Sequence, residues 1–398
     1  MFKSNISFAE EQFLSYLHKT GKYYEANRNY SEDRSNNNNN NNNKTTSLLS
    51  PFIRYRLISE EQILEKVLKK YELRECEKFI QEIYWRTYWK GWLEHRPSVY
   101  SDYLEDRNKL IEEFGNKKFY LNAISGNTNL SFFNNWINNL KENGYLHNHV
   151  RMWFASIWIF TLNLPWQLGA DFFMQHLLDG DPASNTLSWR WVAGIQTKGK
   201  NYLARKSNIE KYSNIEISDN EILNENANPL VEEKIYNVNE LHLNSDYNLE
   251  EIKYILIPTD ELNILKDLNH KKVNVFTGLP LEDYNDHNFS EKIIKHIKSI
   301  CVSCFSDDDF YKNIKIDIQF ESYFENLDKW IEKFQIQEIY LPYVTKGNWK
   351  KIYKKIITKF PSVNFIIFNR KYDVNSWIFS KKGYFKFKQN IPNLITKI

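Results

Sequence analysis

Three cysteines in 398 residues exclude a disulfide framework. Cys301 and Cys304 stand in C-x-x-C spacing, but no second pair exists to complete a four-thiolate zinc or iron–sulfur site. The expectation is two thiols on one face of a buried segment, and no metal. Glycine (12) and proline (10) are sparse, and neither a G-x-G-x-x-G nor a P-loop pattern appears, so glycine-rich phosphate cradles have no support. Long hydrophobic runs are also missing. The most apolar stretch, 154–164, is too short to span a bilayer, and 1–12 lacks the apolar centre of a secretory signal. A soluble, cytoplasmic protein with no membrane partner is expected, and a monomer.

What the chain has in quantity is aromatic surface, 16% of residues, with nine of the twelve tryptophans in residues 1–212. Its length argues for two domains. Net charge is +3, unevenly spread. Residues 1–212 carry 28 Lys and Arg against 23 Asp and Glu, 213–250 carry one against nine, and 251–398 carry 24 against 18. Two mildly basic blocks joined by an acidic segment imply domains at 1–212 and 251–398 with a linker at 213–250. Mild basicity permits a phosphate-backbone partner without requiring one.

The first block has helical periodicity almost throughout. Ser59-Glu60-Glu61-Gln62 is a capping-box sequence opening a helix toward Lys70. Further helices are expected over 74–94, 131–142, 147–162 and 166–178, and Asp181-Pro182 opens another. A run of eight asparagines, 36–43, has nothing to bury, so 35–44 is expected to be a mobile loop. After 252 short apolar runs (254–257, 273–276, 336–341, 364–368) alternate with helical stretches (290–300, 323–334, 349–360), the pattern of an open α/β sheet. The fold class is therefore multi-domain: an all-α domain followed by a smaller α/β domain.

Three polar constellations interrupt the helical pattern. Phe79, Glu82 and Arg86 lie at i, i+3 and i+7, a face that is either wet or lines a polar pocket. Beside it Trp85, Trp89 and Trp92 form a stripe whose simplest use is packing. Asn148 and Arg151 share a helix face, and a guanidinium inside a bundle needs an anion. Asp179 and Asp181 flank Gly180 and are the candidates. Asn185 and Trp189 follow at i, i+4. Arg, Asp, Asn and Trp converging in one bundle suit a planar heteroaromatic ligand with polar edges. A metal fits less well, because His147 and His149 are i, i+2 and do not share a helix face.

These blocks, in order, resemble the FAD-binding domain of the DNA photolyase/cryptochrome family over about residues 8–212. Tyr24-Glu25-Ala26-Asn27-Arg28 is similar to a Y-D-x-x-R element, and Thr46-Ser47-Leu48-Leu49-Ser50-Pro51-Phe52 to T-S-x-L-S-P-Y. Glu82 with Trp85-Arg86 resembles E-x-x-W-R, and His147-Asn148 through Arg151-Met152 resembles H-N-x-x-R-M. Asp179-Gly180-Asp181 through Asn185 to Trp189-Arg190-Trp191 resembles D-G-D-x-x-x-N-x-x-x-W-x-W. Tyr202 to Asn208 is similar to the closing segment.

The resemblance implies FAD as cofactor, held by Tyr24, Thr46, Ser47, Leu48 and Ser50 at its phosphates and sugars and by Phe79, Glu82 and Arg86 along the pocket. It implies Arg151 paired with Asp179 beside the flavin ring, Asp181 and Asn148 nearby, and Asn185 facing flavin N5, an amide that favours the fully reduced anionic flavin. Trp85 and Trp191 would stack on a flipped-out pyrimidine pair, with Glu82, Asn148 and Met152 at its edges and Arg28 on the substrate side. Trp189 and Trp166 match the first two members of the family's electron file. The third place, near Ile124, is aliphatic, leaving Trp136, Trp153 and Trp158 as alternatives.

The implied activity is light-driven repair of cyclobutane pyrimidine dimers in damaged DNA, that of a deoxyribodipyrimidine photo-lyase. The alternative is a cryptochrome-like blue-light receptor without repair. The family's N-terminal antenna domain has no counterpart before the helical block. The α/β block, whose strands 337–341 and 364–368 and closing 386–392 faintly resemble that domain, is either a relocated antenna-like domain or an unrelated one. Its pigment is left open.

Overall fold

The computed structural model describes residues 3–31, 45–245 and 247–398; the asparagine-rich 35–44 stretch lies outside them. The chain forms two compact units, each discontinuous in sequence. One gathers Lys19–Ser47 and Pro97–Asn237, the other Phe2–His18, Leu48–Arg96 and Val238–Ile398. The boundaries expected from composition follow chain order, whereas the compact units do not.

The first unit is helical. Its main helices are Pro97–Phe114, Ser131–Asn143, Asn148–Ser156, Trp166–His176 and Pro182–Ala193. Their limits follow local chemistry. Ser131–Asn143 stops at Gly144, which is left-handed (φ 68°) as a helix C-terminus favours. Asp181 caps Pro182–Ala193 by accepting from the Ser184 amide at 2.8 Å, with Pro182 in the first turn. The expected 147–162 helix is α-helical only through Ser156 and continues as a π-turn, Ile157–Thr161. Gly169 lets the last two helices meet closely: a Cβ there would come within 2.3 Å of the Trp189 indole. Around that contact lie the fully buried Trp136, Trp153, Trp158 and Trp189.

Part of the acidic stretch belongs to this unit and is anchored rather than free. Glu232 takes Arg190 in two hydrogen bonds of 2.6 and 2.5 Å, and the Leu230 amide donates to the Ala193 carbonyl. It has little regular structure, as its lack of periodicity implied.

The second unit holds a five-stranded parallel sheet of order β3-β2-β1-β4-β5, with β1 Tyr254–Pro258, β2 Asn274–Gly278, β3 Lys315–Gln319, β4 Glu338–Pro342 and β5 Asn364–Phe368. Four strands were legible as apolar runs. The fifth, β3, was not: Lys-Ile-Asp-Ile-Gln sits at an edge, only partly covered, and carries too little apolar character to stand out. Gly278 is required where β2 ends, since a Cβ there would lie 1.7 Å from the Gln319 carbonyl oxygen. Cys301 and Cys304 are buried on the Glu291–Ser306 helix, as the simpler reading had it, and burial pushes the Cys301 thiol up to about 12.

Helices Ile6–Tyr16, Glu60–Lys70 and Leu73–Glu94 pack within this same unit. A buried ion cluster ties in the Glu60–Lys70 and Leu73–Glu94 helices. Arg56, 1% exposed and in the left-handed region at φ 49°, donates to Glu60 (3.1 Å), Glu261 (2.8 Å) and both oxygens of Asp373 (2.8 and 2.7 Å). Arg370 joins Glu261 at 2.6 Å and also bonds Asp267. The capping box is only half formed: Ser59 accepts from the Gln62 amide, but the Gln62 side chain donates to Asp267 instead of reaching back. Deleting one carboxylate should strand the charge. Asp373→Ala is expected to cost about 3–5 kcal/mol in urea unfolding; a loss under about 1 kcal/mol would mean the cluster is not a buried, mutually dependent one.

Candidate flavin site

The residues singled out divide between the units. In the second, Phe79 is buried (3% exposed) against the Tyr16 ring, centroids 6.4 Å apart. Glu82, Trp85 and Arg86 are half-buried on the same helix. Arg86 is held by Glu60 (Nε to Oε1 3.3 Å) and donates to the Arg54 carbonyl at 3.2 Å. Glu60 thus serves two guanidiniums. Burial opposes its charge, yet Arg56, Lys90 and Arg86 together hold its carboxyl down at about 2. Trp85 lies flat on Tyr384, centroids 3.4 Å apart and planes 11° apart. Leu48 is left-handed (φ 55°) and half-buried, and Ser50 begins the short Ser50–Ile53 helix.

In the first unit the expected pair is present: Arg151 donates to Asp179 Oδ2 at 2.8 Å and, through Nε, to the Leu146 carbonyl at 2.8 Å. Burial works against the Arg151 charge, but Asp179 and its hydrogen bond more than offset that, and the guanidinium is held above its ordinary value. The Asn185 side chain donates to the Ala170 carbonyl at 2.8 Å. A carbonyl can only accept, so the amide nitrogen faces Ala170 and the oxygen is left to take a donor. Asp179 Oδ1, Ser184 Oγ and Trp189 Nε1 are buried without a hydrogen-bond partner among the described residues. Buried polar atoms are rarely left so, and a polar-edged ligand would satisfy them.

Around this core Tyr24, Arg28, Thr46, Ser47 and Met152 are half-buried, Asp181 is buried, and Asn148 is exposed, its amide 4.0 Å from Met152 Sδ. Trp191 is half-buried and stacked on Tyr202, centroids 5.8 Å apart. Tyr202 in turn meets His149 (Oη to Nε2 3.2 Å), which stacks on Trp153 at 4.2 Å. Because His149 Nδ1 faces the Asn29 carbonyl at 2.8 Å it must carry the proton, so Nε2 accepts from the Tyr202 hydroxyl. Burial lowers the His149 pKa, and burial with the neighbouring His149 and Arg151 charges lowers His147 to about 4. The role of Tyr202 behind Trp191 was missed in sequence; its only signal was its place in the closing segment.

Trp189 and Trp166 are both buried, but their ring neighbours differ. Trp166 stacks on Tyr103 at 5.5 Å under the Arg190 guanidinium at 5.9 Å. Among the described residues the indole in ring contact with Trp189 is Trp158, at 6.3 Å, and Trp158 meets the half-buried Tyr120 at 6.2 Å.

Residues 79–219 match the family described as the FAD binding domain of DNA photolyase. Over this region the chain is similar to the DNA photolyase/cryptochrome family. FAD is its cofactor. Among relatives, the deoxyribodipyrimidine photo-lyase of Buchnera aphidicola subsp. Baizongia pistaciae (strain Bp) is 32% identical over 167 residues, 39% of this chain and 34% of that protein. The cryptochrome DASH of Idiomarina loihiensis is 28% identical over 206 residues, 50% of this chain and 43% of that one. A class III photolyase structure from Agrobacterium tumefaciens aligns at 25% identity with a TM-score of 0.43, covering 52% of this chain and 42% of the other. The match thus spans about a third of the length of the first photolyase relative.

Removing Arg151 would leave Asp179 buried and unpaired. Arg151→Ala is expected to cost about 3–5 kcal/mol locally and to yield mostly flavin-free protein, read from visible absorbance after purification. Full flavin occupancy in that variant would detach the pair from cofactor binding.

Proposed function

We propose that the protein is a light-driven DNA repair enzyme that splits cyclobutane pyrimidine dimers. The observation that carries the reading is Trp191. Its indole is half-buried, backed on one side by Tyr202, and two positions from the fully buried Trp189. A supported aromatic ring that is not sealed into the core suits stacking on an extruded base, which contributes roughly 1–3 kcal/mol.

Bound and reduced, FAD supplies an electron donor that blue light activates. The chain's own residues do the rest. Arg151 and Asp179 keep one fixed pair of opposite charges in the bundle, so a polar ligand edge meets a preorganised field. Asn185, its nitrogen tied to Ala170, presents an acceptor oxygen that suits an N–H donor and has no carboxyl proton to release. Trp191 stacks, with Met152 and Asn148 on the neighbouring helix available to the base edges. Trp189, Trp158 and Tyr120 offer a file of oxidisable rings: an electron leaving Trp189 can be replaced from Trp158 and then from Tyr120, whose phenolic proton departs to water. The family-like route through Trp166 gains no support from the Trp189 ring contacts.

A photoreceptor without repair is the second reading, favoured by the cryptochrome DASH relative, whose match covers half of this chain. The deciding experiment illuminates the reduced protein with an oligonucleotide containing a thymine dimer and follows dimer loss by chromatography. Dimer loss that needs both light and flavin is expected; a flavin-loaded protein leaving the dimer intact would favour the photoreceptor. Electron replacement has its own readout. Trp158→Phe should slow light-driven flavin reduction while sparing dimer splitting by chemically reduced protein, and Tyr120→Phe should abolish a tyrosyl radical signal. Unchanged photoreduction in Trp158→Phe would remove Trp158 from the route.

A further inference from the structure

The Leu73–Glu94 helix is met along one flank by the C-terminal segment. Tyr384 Oη donates to the Gln81 carbonyl at 2.8 Å, Tyr88 Oη to the Lys382 carbonyl at 3.0 Å, and Tyr84 packs against Phe387, centroids 6.0 Å apart. Beside these contacts the tryptophan stripe is not sealed. Trp85, Trp89 and Trp92 are all half-buried, where a stripe serving packing alone would be covered. Trp85 and Trp89 are 5.2 Å apart, and the Arg96 guanidinium lies over Trp92 at 4.3 Å.

The segment that docks there has an unusual surface. Residues 371–398 hold six lysines and one acidic residue, Asp373, which is buried and bonded by Arg56. Lys381 is paired with Glu240 and Lys388 with Glu77. Lys382 and Lys386 are exposed and have no acidic partner among the described residues. Between them Phe385 is 83% exposed, a full aromatic ring in water. Unsealed rings interleaved with unpaired cations are the chemistry that binds a nucleic acid strand: bases stack on the rings and phosphates meet the ammonium groups. A duplex hides its base faces, so the rings favour a strand with unstacked bases.

We propose that this face, formed by Trp89, Trp92, Arg96, Lys382, Phe385 and Lys386, binds single-stranded DNA. The choice of DNA over another polyanion rests on the repair reading. The contact itself needs neither light nor a dimer. It would give the protein a hold on undamaged strand flanking a lesion.

The test uses the full-length protein in the dark with fluorescein-labelled, undamaged oligothymidylate, followed by anisotropy across a salt series. The wild type is expected to bind this strand more tightly than a duplex. Phe385→Ala should weaken binding about tenfold. Lys382→Gln with Lys386→Gln should make the slope of log affinity against log salt shallower by about 1.4, two phosphate contacts at roughly 0.7 each. All three positions are exposed, so folding should be untouched, and flavin absorbance checks that. Wild-type affinity and slope in both variants would overturn the proposal, as would equal binding of duplex with no effect of Phe385→Ala. Binding to phosphatidylserine vesicles in preference to oligothymidylate, lost in the same variants, would assign the face to a membrane and overturn it too. The repair reading fails separately: a protein that binds undamaged strand through these residues but leaves a thymine dimer intact under light loses that reading and keeps this surface.

Discussion

A buried guanidinium with three carboxylates around it sets the terms for the larger unit. Arg56 is drawn out of water, and its left-handed backbone is one that a side-chain-bearing residue adopts at a cost. That arrangement stands only if Glu60, Glu261 and Asp373 stay in place. These three come from the Glu60–Lys70 helix, the turn after β1 and the Lys371–Trp377 helix. Satisfying one charge therefore holds together segments from widely separated parts of the chain. Glu60 then passes the constraint on to Arg86.

The helical unit depends on the same physics at smaller scale. Arg151 and Asp179 form one pair, Arg107–Asp171 and Arg190–Glu232 are others, and aromatic rings fill the interior between the helices. Gly169 admits Trp189, and Trp189 meets Trp158, Phe154 and Phe173. A dense aromatic interior lowers the local dielectric, which strengthens the pair and makes its unsatisfied neighbours costly. Asp179 Oδ1, Ser184 Oγ and Trp189 Nε1 are such neighbours, and a cofactor with polar edges is a physical answer to them.

The Trp85–Trp89–Trp92 stripe shows how far helical spacing carries an argument. Spacing placed the three indoles on one face and recommended packing as their use. Whether such a face is sealed depends on what lies over it, and a segment almost three hundred residues later in the chain lies beside it and covers it incompletely. Phe385 and the lysines next to it read as an ordinary polar C-terminus until Tyr384 and Lys382 are found docked on the helix that carries the half-buried indoles.

Local signals decided a good part of this protein. Asp181-Pro182, Gly144 and the apolar runs of β1, β2, β4 and β5 act through the backbone of their own or adjacent residues, so a sequence suffices to find them. The order of the flavin-domain blocks was legible for a related reason: a ligand contacted from several helices requires particular residue types at each. What tertiary structure alone decided was partnership across distance. Gln62 turned from its own helix cap to Asp267, Trp189 met Trp158, Tyr202 came to lie behind Trp191, and the first helices joined the sheet. Each of these outcomes compares two partners that local periodicity ranks as equals. The difference between them is set by burial and by which charges or rings are left unsatisfied, and those quantities exist only once the chain has closed around them.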